Sequence, residues 1–269
     1  TAPTTAELPL ILLPPSEGKA AGGSGPAWAP STMRYDLDDQ RTRTLRALAQ
    51  TAKWSTPRRA ALLGVKGPSL EAATAANRDV ADSPTMPAIE RYTGVLYDEL
   101  DAASWSAAQR RRAQDAVVII SGLFGVVAPQ DPIPEYKIKM GASLPRLGKL
   151  GTWWRPHLSA ALAPVVAGRR VWNLLPNEHD AAWTAPGDAE LATVKFFDER
   201  PDGTLVAVSH WNKLLKGALV RLLLDAPSTA PADLDGWDHP LGYRLEGIET
   251  DRRGVQVCSL VRRGGPPAP

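Results

Sequence analysis

The sequence predicts a mixed α/β fold: a central mixed sheet surrounded by helices, organised as a single domain over residues 8–263. Three observations carry this. Apolar runs at residues 9–13, 117–120 and 171–175 are short and stop at Pro or Ser-Gly, the pattern of strands buried on both faces. Elsewhere apolar residues recur at helical spacing, most clearly at Trp211, Leu214, Leu215, Ala218, Leu219, Leu222 and Leu223. A chain of 269 residues with 43% hydrophobic and 22% charged side chains can bury a sizeable core, and no repeat or linker divides it.

Taken in order, residues 1–7 and 264–269 read as disordered tails of small residues and proline. The first strand opens into Pro14-Pro15-Ser16-Glu17-Gly18-Lys19. Gly/Pro loops at strand ends commonly carry functional groups, which makes Ser16, Glu17 and Lys19 candidates; the alternative is a turn whose serine bonds its own backbone. Residues 20–30, rich in Gly, Ala and Pro, read as a mobile loop or lid. Residues 38–52 have helical composition, and residues 58–77 read as two helices joined at Gly64–Gly67 with Lys66 between. This N-terminal element is helix-hairpin-helix-like, a module that grips DNA backbone through turn amides, although its glycines stand three apart instead of two. An ordinary helical hairpin is the alternative. Residues 84–104 read as one helix with Pro87 in its first turn and Ile89, Tyr92, Leu96 and Leu100 on one face. Tyr92 belongs either to the core or to a site. Ser106 is the expected N-cap of the next helix.

The densest stretch is residues 117–141. A buried strand ends at Ser121-Gly122, a second apolar run follows, and Pro129, Pro132 and Pro134 punctuate a loop carrying Asp131 and Glu135. Tyr136-Lys137-Ile138-Lys139-Met140 alternates, which predicts a strand with Lys137 and Lys139 on one face. Solvated lysines are the bland alternative. Residues 151–166 read as a helix kinked at Pro156, with Trp153 and Trp154 as packing anchors. The next strand carries Asn173 and ends in Pro176-Asn177-Glu178-His179, where Asn177 is the expected cap. Glu178 and His179 suit proton transfer, and His179 serves equally as a polar space-filler. A hairpin about Asp202-Gly203 precedes the striped helix, on which Lys213 and Lys216 lie one turn apart, with Ser209-His210 at its start. Helix-terminal amides and these lysines would hold a carboxylate or phosphate. Residues 242–246 and 255–261 read as closing strands.

Net charge is only +2, so polyanion contact requires local clustering of Lys and Arg. Cys258 is the single cysteine and is expected to be a buried, inert thiol. The four histidines lack metal-ligand spacing, and there is no GxGxxG, P-loop or GxSxG, so no metal or cofactor is expected. No run is long enough for a membrane span, and a cytoplasmic protein is expected.

Five collinear blocks resemble the YaaA family of peroxide-stress proteins: LLPPSEGK from Leu12, RYTGVLYDEL from Arg91, SGLFGVVAPQDPIPEYKIKMG from Ser121, NLLPNEHDAAW from Asn173 and SHWNKLLKGALVR from Ser209. Together they cover the chain from about residue 10 to 261. The resemblance implies a role in limiting oxidative DNA damage and intracellular iron, with binding of duplex DNA. The better-known branch of the family carries an SxEY-like motif where Pro176 and His179 stand here, so that tyrosine's role does not transfer. Two functions follow. One is a peroxide-stress protein holding DNA in a positive cleft through Lys19, Lys66, Lys137, Lys139, Asn173, Lys213 and Lys216. The other is an enzyme acting on an anionic small molecule with Ser16, Glu17, Tyr92, Ser121, Glu178 and His179.

Overall fold

The computed structural model describes residues 8–209, 212–226 and 230–264; the predicted tails at 1–7 and 265–269, with His210 and Trp211, lie outside them. β1 (Leu10–Leu13) is four apolar residues with no exposure, as expected of a strand covered on both faces. The predicted loop or lid at residues 20–30 is instead tied down. It carries β2 (Gly25–Ala27), buries Trp28, and gives the carbonyls of Ala20 and Gly22 to the buried Arg91 guanidinium. The reason is long-range: an arginine some 70 positions away takes up carbonyls that otherwise need water.

Helix α1 (Asp38–Thr51) begins with two aspartates, favourable at the positive end of the helix dipole. Helices α2 (Thr56–Leu63) and α3 (Gly67–Arg78) form the predicted hairpin, with Gly64 in the left-handed conformation that ends α2. The single helix expected over 84–104 is broken up. β3 (Pro84–Pro87) pairs with β2, α4 (Ala88–Arg91) is one turn, and Gly94, with φ of 103°, separates it from α5 (Val95–Leu100). Ile89, Tyr92, Leu96 and Leu100 are nevertheless all buried. Helix α6 (Ala107–Ala116) has the Ser106 cap, closed into a capping box by Gln109. β4 (Val117–Ser121) and β5 (Gly125–Val127) form a tight antiparallel pair, and β6 (Pro132–Ile133) joins β3.

Residues 136–140 form no ladder, contrary to the predicted strand, and Met140 already belongs to a turn. The Asn77 side chain substitutes for a neighbouring strand: its amide nitrogen donates to the Lys137 carbonyl and its oxygen accepts from the Lys137 N–H, both at 2.8 Å. The alternation survives, with Tyr136, Ile138 and Met140 buried and the lysines on the other side. After the small hairpin of β7 (Ser143–Leu144) and β8 (Gly148–Lys149), α7 (Leu150–Val166) runs through Pro156 and buries Trp154, whose indole N–H donates to Gly122 O. β9 (Arg170–Asn173) leads into α8 (Asn177–Asp180). There Asn177 makes no cap, because Pro176 already occupies that position. β10 (Glu190–Glu199) and β11 (Leu205–Ala207) are the predicted hairpin. Helix α9 (Asn212–Asp225) buries Leu215, Ala218, Leu219 and Leu223 of the predicted stripe, and β12 (Arg244–Thr250) with β13 (Gln256–Arg262) closes the sheet. Among the described residues no helix is long and apolar enough to cross a membrane.

The sheet order is β12-β13-β10-β9-β1-β4-β5. Five central strands, β13, β10, β9, β1 and β4, are parallel. The chain leaves β1 towards β4 on one side and then returns to β9 on the other, so winding reverses at β1. In such sheets a crevice opens beyond the carboxyl ends of the strands where winding reverses. The loops leaving β1, β4 and β9 are those carrying Ser16–Lys19, Ser121 and Glu178–His179.

Candidate functional site

The loop after β1 is held from beneath. Lys19 bridges Tyr92 in antiparallel fashion, Ala20 N donates to Arg91 O at 2.8 Å, and Thr93 N donates to Ser16 Oγ at 3.0 Å. Ser16 Oγ donates to Gly18 O, so this serine donates within its own loop and accepts from the Thr93 segment. Gly18 has to be glycine, since a Cβ would lie 2.8 Å from Thr93 Oγ1.

Behind the loop is a buried hydroxyl chain. Tyr136 Oη lies 2.7 Å from Tyr92 Oη and 2.8 Å from Ser121 Oγ. Ser121 Oγ also accepts from the amides of Leu123 and Phe124, at 3.2 and 3.1 Å. Both serine lone pairs are thereby used, so its hydrogen goes to Tyr136 and that of Tyr136 to Tyr92. Ser121, fully buried, keeps no lone pair for attack. Burial pushes the Tyr136 hydroxyl up to about 12 and that of Tyr92 well above its ordinary value, so the chain stays protonated.

Against this wall lies Lys19. Its Nζ sits 4.2 Å from the Tyr136 ring centre and 5.5 Å from that of Tyr92, and donates to Ser16 O at 3.0 Å. Aromatic faces favour a cation, but loss of water and then repulsion by Lys137 outweigh them, with Glu135 and Glu17 opposing, and the ammonium falls to about 7. Nearer solvent, Glu17 meets Lys139 at 3.1 Å and Lys137 at 3.9 Å. Its carboxyl is held below the usual range by the Lys139 hydrogen bond, with the charges of Lys137 and Lys213 adding to it. Lys213 also helps line a cavity of about 260 Å³ with Ser16, Glu17, Thr93 and Tyr97. Glu178 lies further along the segment that carries Lys137 and Lys139, its carboxylate where a Cβ on Gly141 would be. The hairpin turn borders it as well: a Cβ on Gly64 would stand 3.8 Å from Lys139 Nζ.

Ser16, Glu17, Lys19, Tyr92, Ser121, Lys137, Lys139 and Lys213 are thus brought together. Others are not. Asn173 turns away, donating to Asp180 Oδ1 at 2.6 Å and accepting from Leu175 N, so it braces the loop after β9. Lys216 donates to Leu174 O at 3.1 Å and steadies the same loop. Lys66 is exposed on the hairpin. The His179 ring has Nδ1 enclosed without a hydrogen-bond partner among the described residues, and burial holds it below its ordinary value against the pull of Glu178. Tyr136 is the residue that sequence reasoning left off its candidates; the alternation that placed Lys137 and Lys139 on one face also put Tyr136 on the other, towards Ser121.

Residues 10–248 match the family described as peroxide stress protein YaaA. The chain is 38% identical to a UPF0246 protein of Streptomyces coelicolor over 93% of this chain and 96% of that protein. It is 35% identical to a UPF0246 protein of Corynebacterium glutamicum, over 80% and 84% of the two chains. A UPF0246 protein of Flavobacterium johnsoniae is 28% identical over 60% of this chain and 64% of its own.

Proposed function

Because this chain belongs to the family of peroxide stress protein YaaA, we propose that it serves in the peroxide-stress response by holding a polyanion, duplex DNA, against the lysines of its crevice. The observation that carries this reading is the contact between the hairpin and the crevice. The Gly64 turn lies against Lys139, Lys66 is exposed two residues further along that turn, and Lys139, Lys137 and Lys213 all act on Glu17, so turn amides and ammoniums would follow one phosphate backbone. Affinity for a random duplex should fall linearly on a log–log plot against salt, with a slope of about 0.9 per phosphate engaged. The variant combining Lys66→Ala, Lys139→Ala and Lys213→Ala should lower that slope by about two to three units. An unchanged slope and affinity would remove DNA from this surface.

A second reading has its own observation. Lys19, poised between charged and neutral near pH 7 beside a closed hydroxyl chain, is the arrangement of a proton-transfer or amine-nucleophile site, whereas phosphate tracking needs only full, exposed charge. On this reading Lys137, Lys139 and Lys213 hold an anionic small molecule while Lys19 does the chemistry. Soaking with small carboxylates and phosphates, followed by crystallography, tests it: density beside Lys19 supports it, and density confined to the hairpin contradicts it.

A further inference from the structure

We propose that Lys19 Nζ is a nucleophilic amine that condenses with the aldehyde or ketone carbonyl of a small substrate bearing a carboxylate or phosphate. The proposal rests on the small-molecule reading of the crevice and names the substrate class it takes.

Four features point this way. First, the only hydrogen-bond partner of Lys19 Nζ among the described residues is a backbone carbonyl, Ser16 O. No carboxylate lies within ion-pair reach of it there, whereas Lys137 and Lys139 both reach Glu17. The residue is half-buried, and a lysine kept only for structure is normally paired where it loses water. Second, Nζ rests on the Tyr136 ring at 4.2 Å, a wall that offers it no acceptor and leaves its lone pair, once deprotonated, free. Third, the charged groups acting on it are Lys137 and Arg91, which disfavour the ammonium, and Glu135 and Glu17, which favour it. Desolvation together with a neighbouring cation is the usual means of keeping an amine neutral for attack. Fourth, Glu17 is the carboxylate now seated on Lys137 and Lys139, and its side chain is 67% exposed. A substrate carboxylate or phosphate can take its place on the two ammoniums at little cost, as exposed ion pairs are weak. That would set a carbonyl a few bonds away beside Lys19.

The step balances without an oxidant or reductant. The Nζ lone pair attacks the carbonyl carbon and a C–N bond forms as the C=O π pair moves to oxygen. The oxygen takes up both amine hydrogens and leaves as water, so amine plus carbonyl gives imine plus water.

The test is reductive trapping with cyanoborohydride at pH 7, using glyoxylate, an aldehyde with a carboxylate, and acetaldehyde, which has none, and mapping modified lysines by peptide mass. Glyoxylate should modify Lys19 about tenfold or more faster than any exposed lysine, from its larger neutral fraction at that pH. Acetaldehyde should favour Lys19 less. Lys19→Arg should lose that adduct alone, and Lys137→Ala, which removes an anion-holding charge, should reduce the preference for glyoxylate. Adducts spread evenly over surface lysines would overturn the proposal, and equal trapping by both aldehydes would overturn the anionic substrate. The underlying reading fails separately. If Lys19 titrates near neutrality yet forms no adduct, the carbonyl class is wrong and acid–base chemistry stands. If it titrates like a surface lysine, both fall.

Discussion

Two clusters of tyrosine and charge sit at different places along this sheet, and they differ in balance. At the β10–β13 end, Asp198 accepts from Arg262 Nε and a terminal guanidinium nitrogen, both at 3.0 Å, and from Tyr243 Oη at 2.8 Å, while Arg262 also lies over the Tyr243 ring. His239 packs against Trp237, Phe196 and Tyr243, and burial pushes it down to about 4, so it adds no charge at neutral pH. One cation meets one anion in bidentate geometry and no charge is left over, although the neutral His239 ring keeps Nε2 without a hydrogen-bond partner among the described residues. At the crevice, one exposed carboxylate serves two lysines while a third, Lys19, is enclosed without any. A balanced cluster stabilises the fold by itself. An unbalanced one carries a desolvation cost that a ligand can offset, which is why the crevice, and not the Asp198 cluster, is the candidate site.

Breaking the balanced cluster should have the largest effect on stability. Arg262→Ala leaves Asp198 with half its partners, and denaturant unfolding should report a loss of about 3 kcal/mol. By contrast Glu17→Ala should change stability by less than about 1 kcal/mol, since its pairs are solvent-exposed. Equal losses would erase the distinction.

Next in size is Gly122→Ala. A Cβ there would lie 3.1 Å from Met140 N and 3.2 Å from Lys139 C, backbone atoms that cannot rotate aside. The expected cost is about 1–3 kcal/mol, with the Lys137–Lys139 segment displaced and duplex affinity lowered along with it.

Lys19→Met should stabilise the protein, by about 1 kcal/mol, because an apolar side chain of similar length suits the tyrosine wall. The folded-state ammonium lies at about 7, below the ordinary lysine value of about 10.4, so the folded protein binds fewer protons between them. Wild-type stability therefore rises with pH across that window, and the gain from Lys19→Met is largest below about pH 7 and shrinks above it. A variant that is less stable at every pH would mean that Lys19 is a structural tie.

The smallest effect concerns Cys258. It is fully buried in β13, and desolvation pushes its thiol up to about 11, leaving little thiolate to react. Dilute peroxide should leave the mass of the folded protein unchanged at this residue, and rapid oxidation would contradict the burial argument.

Much of this was legible in the sequence, for reasons that follow residue by residue. The buried strands β1, β4 and β9 announce themselves because a parallel strand covered on both faces is a continuous apolar run, and Ser16, Glu17, Lys19 and Ser121 stand at or just beyond their ends. The alternation at 136–140 gave the shared face of Lys137 and Lys139. What stayed hidden depends on partners distant in the chain. Asn77 satisfies Lys137 where a strand was expected, and Arg91 fastens residues 20–22 that composition alone marks as loose. Asn173 was grouped with the site by its place at a strand end, but its side chain answers to Asp180 instead. The helix expected over 84–104 failed at Gly94, where a positive φ breaks a pattern whose apolar spacing was real.

The most direct test of the central claim is the titration of Lys19 itself. Trace acetic anhydride labelling of all lysines across about pH 6–11, read by peptide mass, gives each amine its own midpoint. The crevice account predicts Lys19 near 7, against the ordinary value of about 10.4 for free lysine side chains. A Lys19 midpoint indistinguishable from theirs would mean that the amine is solvated and paired, and that the crevice carries no more unmet charge than the Asp198 cluster.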